Sequence, residues 1–465
     1  MTWIAIIGGG LSGAATAYQL ARERVDFTLF EAGPRLGGIV ETVRRDGFVI
    51  ECGPDSWVTE KPWARELAIE LGLESEIIPS NDGWRRTYLL EGNRLEPMPD
   101  GMRMMVPTQM EPVLSSPLFS EQARKAFQAE THRAQELKAS ALPENEDESV
   151  ASFVRRHFGE EVTRTIAGPL LAGVFGGSIE DLSVRAVMPA FVKLEREHGS
   201  LIAALQQKEK DRSASIFTSL TTGLETLIDR MVDQLPANTI RLNHEVHSVA
   251  RESGRWRVEA AGFTRIFDAV IVATPGHVTR RLLSPLHAGF SPLLNMAATS
   301  AIVIALGFSA DRASHLRIPR GFGYLVPQRS SHVAYDPEPQ LLACTFVHQK
   351  FTHRAPEGAV LLRAFFGGDT APALLDRSDA ELLALAHKRL SQALGPLPEP
   401  DICLVRRWPL SLPQYAVGHL DRMARLADLT GSFPGLHLVG NAYHGVGLPD
   451  LIRQGRETAR RAAQP

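Results

Sequence analysis

Three glycines and one acid carry the first recognisable chemistry in this chain. Gly8-x-Gly10-x-x-Gly13 follows an apolar run, Trp3–Ile7, and opens a helical stretch, Ser12–Glu23, in which Ala17 falls where the helix must press on a sheet. In such a turn the first glycine permits the bend, the second lets a pyrophosphate approach the backbone, and the third allows close helix–strand contact. The N–H groups at the helix start, around Leu11 and Ser12, would then hold the pyrophosphate, and the helix dipole favours its charge. Glu31, 18 residues after Gly13, ends a second strand, Phe27–Phe30, and is followed by Ala32. A carboxylate there can accept both ribose hydroxyls and disfavours a 2′-phosphate, since two anions would meet. These residues predict a site for the ADP half of a dinucleotide, and by themselves leave NAD and FAD open.

Two further stretches separate those cofactors. Arg35-x-Gly37-Gly38 follows the acid directly, where an arginine can bind pyrophosphate and the glycines can pass close to a flavin. This resembles the extended motif of the glutathione-reductase-like FAD proteins, the amine oxidase superfamily above all. Val439 to Asp450, with Gly440, Asn441, Gly447 and Leu448, looks like that superfamily's second flavin motif. There a glycine-rich turn starts a helix aimed at the isoalloxazine, whose dipole would stabilise negative charge on the reduced ring. The same resemblance puts Gly53, Pro54, Asp55, Ser56, Trp408 and the strand residue Val246 at the cofactor. Some members hold flavin through a cysteine shortly before the second motif. Trp408 to Tyr415 contains none, so the expectation is non-covalent FAD.

Several segments between these ends point more narrowly. They include Gly53–Ser56, Arg86-Thr87-Tyr88-Leu89, Gly173-Val174-Phe175-Gly176-Gly177, Gly321–Pro327, and Arg407-Trp408-Pro409 before Leu412–Tyr415 and Gly418-His419. In order and spacing, over essentially the whole chain, they resemble the oxygen-dependent protoporphyrinogen oxidases, including the bacterial enzymes that act on coproporphyrinogen. The resemblance implies three two-electron oxidations of a porphyrinogen in haem biosynthesis, each a hydride passing from the macrocycle to flavin N5, with O2 reduced to H2O2. It implies that Arg86 pairs with a substrate propionate, that Leu325 and Phe365 sandwich the macrocycle, and that Gly173 lies beside it. Thr345 stands where plant members carry leucine. No side chain is expected to act as a catalyst beyond the flavin, since aromatisation drives the reaction and the protein supplies positioning. The family also implies contact with a ferrochelatase and a helical region at the membrane surface, for which Met102, Met104, Met105, Val106, Leu114, Leu118 and Phe119 are either a candidate patch or core side chains lining an entrance; monomer and homodimer both remain open. Other readings of the same motifs are a flavin amine oxidase with Tyr415 and Trp408 as an aromatic cage, a carotenoid-type desaturase, or a non-catalytic flavin-binding scaffold.

The elements that must position these residues follow from patterning. With 465 residues the chain exceeds one core. It reads as α/β: a Rossmann domain of the glutathione-reductase type in three pieces (1–80, 215–284, 425–465), a β-rich substrate domain in two (81–100, 285–424), and a helical insertion (101–214). The net charge of −3 and the lack of a basic run argue against nucleic acid as a partner. The histidines show no metal-ligand spacing, so no metal is expected. Cys52, Cys344 and Cys403 are far apart and read as reduced, buried residues of a cytoplasmic protein, at most peripheral on a membrane. No apolar run is long enough for a membrane-spanning helix.

Overall fold

The computed structural model describes residues 2–207, 215–327 and 338–464; residues 208–214 of the expected helical insertion and 328–337 of the expected substrate domain lie outside the described residues. Two compact units emerge. The first comprises Met1–Ser80, Ser215–Ala298 and Asp421–Pro465, and the second Asn81–Ala214 and Thr299–Leu420, as far as they are described.

In the first unit, five strands form a parallel sheet in the order Ile240–Arg241, Asp26–Phe30, Trp3–Ile7, Ala269–Val272, Leu436–Leu438. The central strand is covered on both faces, which is why its sequence is apolar without alternation. Ile4 and Ile6 pack with the opening helix, Leu11–Arg22, and the closing helix, Leu448–Ala463. Ala5 and Ile7 turn to the other side, against Val249, Trp256, Val258 and Phe267 of an antiparallel meander running from Val246 to Phe267. The unit continues to Ala298 rather than stopping at 284. Phe290 and Leu294 are fully buried in the meander core, and they hold the intervening chain there.

The second unit is a seven-stranded mixed sheet with helices, and the helical and β-rich insertions form one compact body rather than two. Its strand order is Ile402–Pro413, Ala298–Phe308, Val360–Gly367, Ala343–Phe346, Gly323–Leu325, Thr87–Glu91, Arg94–Pro97. One sheet face, with Ile304, Ala364, Cys344 and Tyr324, is sealed by the helix Asp379–Leu394 through Leu382, Ala386 and Leu390. That helix starts on a capping box, in which Ser378 and Glu381 satisfy each other's backbone N–H.

Burial corrects one expectation and bears on a second that had two readings. Cys403 is exposed, while Cys52 and Cys344 are buried. Of the supposed membrane patch, Met105, Val106, Leu118 and Phe119 are buried core, and only Met104 stands out, at 36% exposure. An apolar cluster inside a helical lobe needs no membrane to cover it. Among the described residues no helix is long and apolar enough to cross a membrane.

Candidate functional site

The glycines of the opening turn divide into two kinds. Gly8 has φ +103°, and a Cβ on it would lie 2.6 Å from the Ala273 carbonyl oxygen. On Gly13 a Cβ would lie 1.9 Å from the Gly8 oxygen. Both are glycine because strand, turn and helix are in contact there. Gly10 differs: its backbone is extended, at φ −63° and ψ 177°, and a Cβ on it would meet nothing within 4 Å. Open space in front of this one residue is what an approaching pyrophosphate requires. The helix behind it has no side-chain cap, so its first N–H groups lack that partner although Leu11 and Ser12 are buried. A bound anion would satisfy them.

Glu31 ends its strand beside this turn. One carboxylate oxygen accepts the Gly9 N–H at 2.7 Å and the other the Gly33 N–H, also at 2.7 Å. This fixes the carboxylate at the glycine turn while lone pairs remain for ribose hydroxyls. Ala32 follows in the loop. Val246 is 4% exposed and belongs to the meander core, while the neighbouring His244 N–H donates to the Glu31 carbonyl at 2.9 Å.

Arg35 is tied to the loop it stands on. Its Nη1 donates to the Leu36 and Val40 carbonyls at 2.9 and 3.0 Å, and Nη2 to the Gly38 carbonyl at 2.5 Å. The guanidinium clamps its own loop. The loop thereby lies against Gly10: Gly37 N–H donates to the Gly9 carbonyl at 2.8 Å, and a Cβ on Gly38 would be 3.2 Å from Gly10 Cα. Gly53 packs on the same loop, its Cβ position 2.0 Å from the Ile39 oxygen. After Pro54, the Asp55 carbonyl accepts Ser219 Oγ at 2.7 Å, and Ser56 Oγ donates to the Asp55 carboxylate at 2.7 Å.

The second glycine turn lies in the same unit. Gly440 has φ +140° with open space at its Cβ position, and Asn441 follows it. Gly447 caps the closing helix, whose first residue is Leu448. Burial pushes the Tyr443 hydroxyl up to about 12, opposed by its hydrogen bond with Thr279. Burial, with Arg453 and Arg461 nearby, holds His444 below the usual histidine range. A residue missed from sequence is Gly455, where a Cβ would lie 2.6 Å from the Ser12 oxygen. It lets the two helices cross closely, and a glycine inside a helix was the available signal.

The remaining site candidates fall in the second unit. Along one register of its sheet, Leu89, Leu325, Ala343, Phe365 and Val303 are direct cross-strand partners. Partners in register share a face, here the face opposite the helix Asp379–Leu394. Leu325 and Phe365, both half-buried, therefore stand side by side with small Ala343 between them. Arg363, one position along on the same face, lies 5.0 Å over the Phe365 ring. A Cβ on Gly173 would lie 4.0 Å from Leu325 Cδ2. Gly173 sits on the helix Gly168–Phe175, which follows a left-handed break at Gly159 and a π-turn at Thr163–Ala167; such turns recur at functional sites. Arg86 is exposed at the entry to the strand Thr87–Glu91, its carbonyl accepting the Phe322 N–H at 2.8 Å. Trp408 is half-buried in the strand Ile402–Pro413. Tyr415 is 3% exposed and stacked 4.0 Å on His419. Among the described residues no group of three or more His, Cys, Asp or Glu could hold a metal.

Comparison with known proteins places this arrangement. The model of the flavin containing amine oxidoreductase family matches residues 11–463. Coproporphyrinogen III oxidase of Bacillus subtilis is 33% identical over 97% of this chain and 96% of its own length. Chloroplastic protoporphyrinogen oxidase of Nicotiana tabacum is 28% identical over 98% of this chain and 84% of its own length. A solved structure from Exiguobacterium sp. 255-15 superposes with a TM-score of 0.85 at 31% identity, covering 99% and 98% of the two chains. A putrescine oxidase structure, at 18% identity and TM-score 0.70, shares the fold. The open glycine turns, the uncapped helix start and the anchored Glu31 thus belong to a flavin enzyme, and this chain is a member of the flavin containing amine oxidoreductase family.

Proposed function

We propose that this chain is an FAD-dependent porphyrinogen oxidase of haem biosynthesis, with coproporphyrinogen III as its preferred substrate. The observation that carries the reading is end-to-end similarity, at 33% identity, to the B. subtilis protein of that name. Coproporphyrinogen III oxidases of Staphylococcus aureus and Propionibacterium freudenreichii, at 30% and 32%, support it. FAD is held non-covalently: pyrophosphate at Gly10, Leu11 and Ser12, ribose at Glu31, and flavin toward Gly440–Leu448. When bound, the flavin accepts two electrons per cycle and passes them to O2. Six electrons and six protons leave the macrocycle in all, giving three H2O2 per porphyrin.

The protein's own part is to hold a flat, apolar ring with charged arms. Adjacent strands are spaced by about 4.8 Å, so Leu325 and Phe365, two strands apart, stand about 10 Å from each other. With a methyl group between them at Ala343, they bound a slot that a planar macrocycle can enter edge-on. Arg86 would bind a propionate through two parallel hydrogen bonds, which fixes orientation as well as charge. Replacing Arg86 with alanine is expected to raise KM for coproporphyrinogen by about ten- to a hundredfold, the scale of one lost charge-assisted bond. The flavin spectrum stays unchanged. An unaltered KM, or loss of the flavin, would remove Arg86 from this role.

A further inference from the structure

One ion pair ties the loop after Gly53–Ser56 to the second glycine turn. Lys61 Nζ lies 2.6 Å from Asp450 Oδ2. Asp450 is the third residue of the closing helix and is 7% exposed, whereas the Lys61 side chain is 47% exposed. The carboxylate fills the hollow behind the turn: a Cβ on Gly445 or Gly447 would come within 3.0 or 3.1 Å of it. Pro449, at the second helical position, contributes no N–H. The donors left at this helix start are fewer than usual, so charge decides more of its potential.

An acid in a first turn stabilises the helix, but it also opposes the positive end of the dipole. That end is worth about half an elementary charge. With Asp450 alone the terminus would be net negative, and with Lys61 added it is positive again. Of the four arginines on this helix the first, Arg453, lies 4.7 Å over the Trp63 ring and 3.6 Å from Glu457. We infer that Lys61 is a positioning residue for the cofactor: by neutralising Asp450 it keeps the helix start receptive to the negative charge a flavin gains on reduction. The inference rests on the proposed placement of the flavin at the 440–447 turn.

Sulfite tests it without turnover. Sulfite adds through its lone pair to flavin N5, forming the S–N5 bond and leaving the negative charge on the N1–C2=O edge, so its Kd reports the local potential. In FAD-loaded protein, Lys61→Met is expected to weaken sulfite binding about tenfold, a screened single-charge effect, and to move the midpoint potential to more negative values. Asp450→Asn is expected to tighten sulfite binding, and the double variant to return near the wild type. Lys61→Arg should preserve both readouts. Flavin-loaded Lys61→Met with unchanged sulfite Kd and potential overturns the inference. If that variant does not retain flavin, Asp450→Asn alone decides: tighter sulfite binding supports the inference and an unchanged Kd overturns it. Wild-type protein that takes up no FAD would instead overturn the flavin placement, and the inference with it.

Discussion

Replacing His157 with alanine is expected to destabilise the second unit by about 3–5 kcal/mol, the range for leaving buried charges unpaired. The His157 side chain is fully buried, with Nδ1 3.0 Å from Glu130 Oε1 and Nε2 3.0 Å from Glu195 Oε1. Two carboxylates facing both ring nitrogens require both to donate, which makes the ring an imidazolium. Glu130 also accepts Ser200 Oγ at 2.5 Å and the Leu201 N–H at 2.7 Å. Arg156 bridges Glu195 to Glu148. Alanine would leave Glu130 and Glu195 without their shared cation, inside the helical lobe. Burial pulls the His157 pKa down, but hydrogen bonds and charge from Glu130 and Glu195 outweigh it, and the net direction is upward. The stabilisation is therefore complete below the unfolded value of about 6.5 and fades as pH rises through the raised folded value. Urea unfolding of wild type and variant should show a gap that is widest at pH 6 and narrows on the alkaline side. Equal stabilities at pH 6 would contradict the buried imidazolium.

The second large effect separates two glycines that differ in role although they lie only two residues apart, Gly8 and Gly10. Gly8→Ala forces a side chain into a positive-φ turn and against the Ala273 backbone. Left-handed backbone costs about 1–2 kcal/mol, and overpacking about 1–3 kcal/mol more. The variant should lose thermal stability and purify colourless. Gly10→Ala meets no atom within 4 Å and already has backbone angles alanine adopts. Its apoprotein should melt like wild-type apoprotein, yet bind FAD at least tenfold more weakly, since the methyl group occupies the space proposed for pyrophosphate. Normal FAD affinity in Gly10→Ala would move the pyrophosphate away from this turn.

Much of this was legible in residue order because the physics is local. The run Trp3–Ile7 had to be a doubly covered strand, and the two glycine turns declared their helices. What was not legible depends on choices made in three dimensions. Arg35 donates to the carbonyls of Leu36, Gly38 and Val40, contacts that exist only once its loop has closed on itself. Met105, Val106, Leu118 and Phe119, in a short strand and the turns around it, look alike as core or as patch until the neighbouring helices pack over them. Glu130, His157 and Glu195 are polar residues widely separated along the chain, with nothing local to bring them together. The boundary at Ala298 depended on Phe290 finding the meander core.

The central claim is that a flavin at the two glycine turns oxidises a porphyrinogen. FAD-loaded protein should be mixed aerobically with coproporphyrinogen III and, separately, with protoporphyrinogen IX, following porphyrin fluorescence and peroxide. The expected result is fluorescence well above the autoxidation control, three H2O2 per porphyrin, and a higher kcat/KM for coproporphyrinogen III. Fluorescence no faster than autoxidation, from protein whose spectrum shows bound flavin, would contradict it.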